Sequence, residues 1–249
     1  VSRTATAMRR IACGTLQPQG HAKISSSCAH EALDIMPSNQ NKSHAVMAQR
    51  HEALDSLDDF PTPPWATRAL MEHIRWASRG SCLEPACNAG HMSKVLMEYF
   101  GKVKSSDIHD YGYGDVLDFL GHSYEKNSFD WVITNPPFRL AEEFLNEALE
   151  VAETGVAILA RTTFMESVGR YDRIFKMNAP SIIAQFSERV PMVKGRLDKK
   201  ASTATSYAWF IWRKNRPQAK GRLLWIPPCR KKLEKDNDYD RPKENSFIS

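Results

Sequence analysis

Between Ser81 and Ser187 short apolar runs of strand type alternate with stretches of helical spacing, and this alternation restricts the fold more than any other feature. "SCLEP", "KVKSSDI", "FDWVITN" and "GVAILART" read as strands, while "ACNAGHMSKVLMEYFG", "LAEEFLNEALEVA" and "MESVGRYDRIFKM" carry helical periodicity. "GDVLDFL" reads as a loop leading into a short helix or turn. Right-handed crossovers return each strand in the same direction, so the expected fold class is α/β, a doubly wound and mainly parallel sheet with helices on both faces. "SIIAQFS" and "SYAWFIWR" have no helix between them and are expected to form an antiparallel hairpin at one edge. Upstream, "DFPTPPWATRALMEHIRWA" reads as a helix with Thr62 as its cap, Pro63 in its first turn and Gly80 beyond its end.

In sheets of this kind ligands bind beyond the carboxyl ends of the strands. That rule places Glu84 to Gly90, Asp107, Asp115 and Asn135 to Phe138 along one rim. "LEPACNAG" offers an acid at a strand end, a tight turn and a helix opening near Gly90, where backbone N–H groups meet an anion. Asn88 stands where a dinucleotide fingerprint would have glycine, and Asn tolerates the left-handed conformation better than most residues. Asp107 follows at the spacing of an acid that accepts from ribose hydroxyls, and Asp115 is placed to accept from an adenine amino group. Taken singly, each has a plainer account: a β–α turn for "LEPACNAG", a solvated loop carboxylate for each acid, a strand terminator for Pro136 and Pro137. The prolines do not explain the polar Asn135 before them or the aromatic Phe138 after them.

Five segments, in this order, resemble class I S-adenosylmethionine (SAM) dependent methyltransferases of the N6-adenine, gamma-order type. "PTPPW", with Thr62 and Pro63, is similar to the motif that touches the methionine part of SAM. "LEPACNAG", with Glu84, Pro85, Ala86 and Gly90, is similar to motif I; Asp107 and Ile108 match the ribose-binding position, and Asp115 and Val116 the position that holds the SAM adenine. "NPPF", from Asn135 through Pro136 and Pro137 to Phe138, matches the catalytic [DNS]-P-P-[YFW] motif. The resemblance spans about Phe60 to Arg213 and implies a Rossmann-like methyltransferase sheet, SAM as cofactor and an adenine of DNA, flipped out of the duplex, as substrate. It implies neither a metal nor a covalent intermediate, since the transferred methyl already sits on a sulfonium. The same chemistry on RNA or on a protein glutamine amide remains open, as does a nucleic-acid binding module without catalysis.

The distribution of charge favours nucleic acid. His51 to Ala160 holds 8 basic and 18 acidic residues, a net of −10, whereas Arg189 to Lys235 holds 14 basic and 2 acidic, a net of +12. Within the basic stretch Lys194, Arg196, Lys199 and Lys200 are candidate phosphate contacts on a loop that Gly195 is expected to make mobile. Trp209, Trp212 and Trp225 interleave with the charge and suggest a binding face; Met192 or Phe186 is a candidate cover for the flipped base. The five cysteines form no C-x-x-C pair, which suggests reduced thiols in a cytoplasmic protein. No apolar run approaches the roughly 20 residues needed to span a bilayer. The expected organisation is a disordered extension over 1–50, a methyltransferase domain over 51–215, and a basic then polar tail over 216–249.

Overall fold

Successive residues of the central strands face opposite sides of the sheet, and both sides are covered. Trp131, Ile133, Ala157, Leu159, Trp209 and Ile211 pack into one core, while Val132, Val156, Ile158, Phe210 and Trp212 pack into the other. Burial on both faces explains why these strands read as continuous apolar runs rather than alternating ones. The structure, a computed structural model, describes residues 58–73, 80–214 and 221–240. Contacts divide the chain into two units, Val1–Val46 and Met47–Ser249, and everything described lies in the second. The disorder expected over 1–50 falls outside the described residues.

Eight strands form one sheet: β1 (Ser81–Glu84), β2 (Lys102–Asp107), β3 (Asp115–Val116), β4 (Phe129–Thr134), β5 (Ala152–Arg161), β6 (Ile182–Phe186), β7 (Tyr207–Arg213) and β8 (Arg222–Ile226). Their order across the sheet is β3-β2-β1-β4-β5-β7-β6-β8. All neighbours run parallel except β7, which is antiparallel to both β5 and β6. The doubly wound, mainly parallel α/β sheet with an antiparallel β6–β7 pair is therefore present. One helical layer, α1 (Pro64–His73) and α2 (His91–Leu96), buries Trp65, Leu70, Met92 and Leu96 on the first face. On the second lie α3 (Ala141–Val151) and the short helices α4 (Val168–Arg170) and α5 (Lys176–Asn178), joined by a π turn over Tyr171–Phe175. In α3 the residues Ala141, Phe144, Leu145, Ala148 and Val151 form one buried stripe, and Glu142 and Glu143 occupy the positively polarised first turn. The Lys214 ammonium donates to the Leu149 and Ala152 carbonyls (3.0 and 2.7 Å), satisfying acceptors at the end of α3.

Several sequence expectations need correction. Thr62 does not cap the first helix: its hydroxyl is buried without a hydrogen-bond partner, and the helix opens at Pro64 after a Pro63 carbonyl to Ala66 N–H bond of 2.9 Å. The expected end of this helix near Gly80 follows residues 74–79, which lie outside the described residues. "GDVL" opens with a two-residue strand that pairs with the end of β2. The larger correction concerns the supposed tail. Residues 222–226 pair along the whole of β6, so the antiparallel pair is not the outer edge. After β8 the chain turns into α6 (Arg230–Leu233), whose first N–H groups, on Cys229 and Arg230, donate to the Glu188 carboxylate at 2.6 and 2.7 Å.

That segment is then fastened to α1 by Arg68, whose side chain is only 6% exposed. Its guanidinium donates to both Asp238 carboxylate oxygens (2.8 and 2.9 Å), to Glu98 and to the Leu233 carbonyl. Trp209 and Trp212 belong to the core, donating to the Ala66 and Asn178 carbonyls, so of the three tryptophans only Trp225 is exposed. Much of the basic stretch is likewise committed internally, as with Lys214, with Arg230 on Glu234 (3.2 Å) and with Lys235 on Glu98 (2.8 Å). Cys82, Cys87 and Cys229 are buried free thiols. Among the described residues no helix is long and apolar enough to cross a membrane.

Candidate active site

The carboxyl ends of β1, β2 and β4 share one rim and open onto a cleft of about 390 Å³. Each end delivers a different side chain. β1 ends in Glu84 and passes through Pro85, Ala86 and Cys87 to a tight turn in which Asn88 takes φ 47° and Gly90 φ 80°. A Cβ on Gly90 would lie 2.5 Å from the Tyr113 ring, so that position requires glycine both for its conformation and for the close approach. The turn is held from β2: the Asn88 N–H donates to Asp107 Oδ2 at 2.9 Å, and the His109 N–H to Asp107 Oδ1 at 3.1 Å. The Asn88 side chain reaches across to Asp59 Oδ1 at 2.6 Å, joining the segment before α1 to the turn after β1.

Asn135 follows β4. Its amide nitrogen donates to the Phe60 carbonyl at 2.8 Å and lies 3.8 Å from the Met192 sulfur. A carbonyl only accepts, so the amide must present its NH2 group there. This orientation leaves Asn135 Oδ1 buried with no hydrogen-bond partner. A buried acceptor without a donor costs about 1–3 kcal/mol, so such an atom marks a place where a donor is expected. The Phe138 N–H donates to Asp58 Oδ2 at 2.5 Å, and the Leu140 N–H to the Pro137 carbonyl at 2.9 Å, closing a 3-10 turn over Phe138–Leu140. The Asn-Pro-Pro-Phe loop is thus fixed at both ends.

Carboxylates dominate the cleft. Asp58, Asp59, Glu84, Asp107 and Asp118 line it against a single guanidinium, that of Arg139. Burial pushes the Glu84 carboxyl up to about 8, the negative Asp107 adds to the shift, and the hydrogen bond from the Ser93 hydroxyl opposes it. Burial also raises Asp59, with Asn88 and Lys194 pulling the other way. His91 is lowered to about 4 by burial, with Lys94 adding to the effect, so it is neutral near pH 7. Such a cleft favours a positively charged ligand and penalises an anionic one.

Thr62, Glu84, Pro85, Ala86, Asp107, Ile108, Asn135 and Pro137 all line this cleft, and Gly90 shapes its turn. Pro63 is buried outside the lining. Asp115 and Val116 do not join it: Val116 is exposed, and the Asp115 carboxylate pairs with Lys104 at 2.8 Å on the surface. Asp118, three residues on, lines the cleft instead, because the buried ring of Phe119 pins the "DFL" turn against the second core. Sequence reasoning also missed Asp58, Asp59, Phe60 and Tyr111, whose partners are 29 or more positions away in the cases of Asp58 and Asp59.

Pro136 and Phe138 line a second, smaller pocket of about 160 Å³ together with Leu159, Arg161, Thr163, Phe164 and Arg170. The Phe138 ring is not bare. The Arg161 guanidinium carbon lies 4.1 Å from its centroid, and the Phe60 and Tyr207 rings tilt against it at 5.3 and 6.2 Å. Met192 is buried beside Asn135, whereas Phe186 packs edge-on against Trp65 in the core and is no cover for a base. The basic loop is anchored rather than loose: the Gly195 N–H donates to the Asp59 carbonyl at 2.9 Å. Arg196, Lys199 and Lys200 are exposed there, with Arg196 near Asp198 at 3.4 Å. Lys194 sits close enough to Asp59 to lower its pKa.

No protein-family model matches the chain, and no curated protein matches it in sequence. Solved structures with a similar layout include the modification subunit of an inferred type I restriction enzyme from Vibrio vulnificus, 13% identical over 73% of this chain, with a TM-score of 0.48. The chain spans only about half, 51%, of that protein's length. An inferred RNA methyltransferase from Pyrococcus horikoshii is 13% identical over 68% of this chain and 95% of its own, with a TM-score of 0.47. A SAM-dependent methyltransferase from Aquifex aeolicus is 18% identical over 38% of this chain and 63% of its own, with a TM-score of 0.33. Similarity at this level carries no argument about chemistry, which has to come from the chain's own residues.

Proposed function

We propose that the protein is a SAM-dependent methyltransferase acting on the N6 amino group of adenine in DNA. The observation that carries the reading is Asn135 Oδ1: a buried acceptor, oriented by Phe60, with no donor of its own. The nitrogen lone pair of an exocyclic amine is delocalised into its ring, so the amine is a poor nucleophile. Asn135 Oδ1 and the Pro136 carbonyl accept its two hydrogens and favour the tetrahedral nitrogen that attacks. Both acceptors are fixed beforehand by the two prolines and by the Asp58 and Phe60 contacts, so little reorganisation accompanies reaction. The attacking nitrogen and the methyl donor need only be held in line.

The cleft fits SAM by charge and by its vacant polar positions. SAM carries a sulfonium and an ammonium against one carboxylate, and Asp58, Asp59, Asp107 and Asp118, with Glu84 ionising as a cation enters, suit its net positive charge. Asp107 is assigned to the ribose hydroxyls, Asp118 to the adenine amino group, and Glu84 and the unpartnered Thr62 hydroxyl to the methionine side. When bound, SAM supplies an electrophilic methyl group. The Asn-Pro-Pro-Phe loop stands between the cleft and the smaller pocket, with Asn135 and Pro137 on one side and Pro136 and Phe138 on the other. That arrangement lets one loop hold the acceptor between donor and substrate. DNA is favoured over a protein amide by the exposed Arg196, Lys199 and Lys200 beside the rim. The test is incubation with methyl-tritiated SAM and, separately, DNA, RNA and glutamine-containing peptide. Label in DNA recovered as N6-methyl-2′-deoxyadenosine supports the reading, and label only in RNA or peptide replaces its substrate.

A further inference from the structure

The smaller pocket has a charge character opposite to the cleft. Two guanidinium groups, Arg161 and Arg170, line it with Thr163, and no carboxylate does. Neither arginine has a carboxylate within ion-pair distance among the described residues. Their attachments differ. Arg170 is fixed, donating to the Phe164 carbonyl at 3.1 Å with its guanidinium over the Phe164 ring at 4.9 Å. Arg161, at the exposed end of β5, rests on the Phe138 ring at 4.1 Å and is hydrogen-bonded through its side chain to the Tyr207 hydroxyl. A planar cation at that distance occupies the place where a base would stack.

We propose that this pocket takes a phosphate next to the target nucleotide, with Arg161 holding the position of the base over Phe138 until the base arrives and then pairing with that phosphate. The inference rests on the amino-methylation reading for the identity of the base. Arg161 is suited to both positions because a guanidinium stacks on a ring and also forks onto a phosphate, which an ammonium does only in part. Arg170, already held in place, gives the phosphate a second donor without moving. Moving Arg161 uncovers Phe138 and releases the Tyr207 hydroxyl; base stacking replaces the face contact, and a guanidinium without an anionic partner gains a phosphate. Arg161 is therefore a substrate-binding residue, on the opposite side of the loop from the cofactor cleft.

The test needs a strand with one defined adenine, such as a single-stranded thymidine 13-mer with a central deoxyadenosine, bound to the full chain and followed by fluorescence anisotropy. Individual phosphates are replaced by neutral methylphosphonates, either beside the adenine or at the ends. For the wild type, neutralising one flanking phosphate should weaken binding about tenfold, as expected for a charge-assisted hydrogen bond. Arg161→Ala should bind the unmodified strand about tenfold more weakly and lose nothing further from that same replacement, while end replacements affect both proteins alike. Arg161→Lys should keep the sensitivity to the flanking phosphate. If Arg161→Ala and the wild type lose equally at every position, or if the wild type binds no strand, the pocket does not take a phosphate. Tritium transfer is read on the same samples. Intact phosphate coupling without transfer would remove the methylation reading and keep the pocket, and transfer without coupling would do the reverse.

Discussion

Glu84→Gln should change how the stability of the protein depends on pH, and the structure sets the size of the effect. The carboxyl is 2% exposed, accepts from the Ser93 hydroxyl and lies near Asp107, and burial raises its pKa from 4.5 to about 8. A carboxyl raised in the folded state is destabilised as it ionises. Its contribution is complete below pH 4.5 and is lost as pH rises toward 8. At 1.36 kcal/mol per pKa unit, the loss is on the order of 5 kcal/mol across that window, a large part of a typical stability of roughly 5–15 kcal/mol. Glutamine has the same shape and can accept from Ser93 but cannot ionise, so the variant should lack this slope. Urea melts between pH 5 and 9 should show the wild type losing about 1.4 kcal/mol per pH unit relative to Glu84→Gln, up to about pH 8. Parallel curves for the two proteins would refute the protonated Glu84. A cation entering the cleft should drive Glu84 toward its ionised form, so SAM binding near pH 7 should release protons, measurable by calorimetry in buffers of different ionisation enthalpy.

Three further outcomes follow from named contacts. Asp107→Asn and Asp118→Ala should each weaken SAM binding, Asp107→Asn by roughly 1.5–3 kcal/mol, whereas Asp115→Ala should leave it unchanged; equal losses for Asp115 and Asp118 in calorimetry would contradict the placement of the "DFL" turn. Arg68→Ala should cost about 3–5 kcal/mol in urea melts, because Asp238 would remain buried without its partner, and a loss under 1 kcal/mol would mean that the C-terminal segment is not stapled to α1. Replacing Lys194, Arg196, Lys199 and Lys200 together by Ala should weaken binding about equally on all DNA sequences and flatten its salt dependence, and an unchanged slope would remove this loop from the phosphate contacts.

The central sheet was legible because its strands are local apolar runs, and their burial on both faces leaves a pattern that needs no knowledge of partners. The turn after β1 was legible for a similar reason, since Asn88 and Gly90 are among the residue types that accept positive φ, and both adopt it. β8 was not, because Leu223 and Trp225 are more than half exposed and only its pairing with β6 makes it a strand. Asp115 and Asp118 flank the same two residues, Val116 and Leu117, and nothing local decides which of them faces the cleft. That choice is made by Phe119 packing into a core assembled from α3 and β4. The freedom of Asn135 Oδ1, the attachment of Asp58 to Phe138 and the guanidinium on Phe138 all depend on segments remote in sequence, so they become visible only in three dimensions.

The most direct measurement is mass spectrometry of nucleosides from DNA incubated with SAM and either the wild type or Asn135→Ala, with SAM affinity measured alongside. Asn135 Oδ1 acts most strongly when the amino nitrogen becomes tetrahedral, so the variant should bind SAM and DNA nearly as the wild type does and form far less N6-methyl-2′-deoxyadenosine. The account is contradicted if Asn135→Ala methylates at the wild-type rate while its SAM binding collapses, or if the wild type places the methyl group on an atom other than an exocyclic amine.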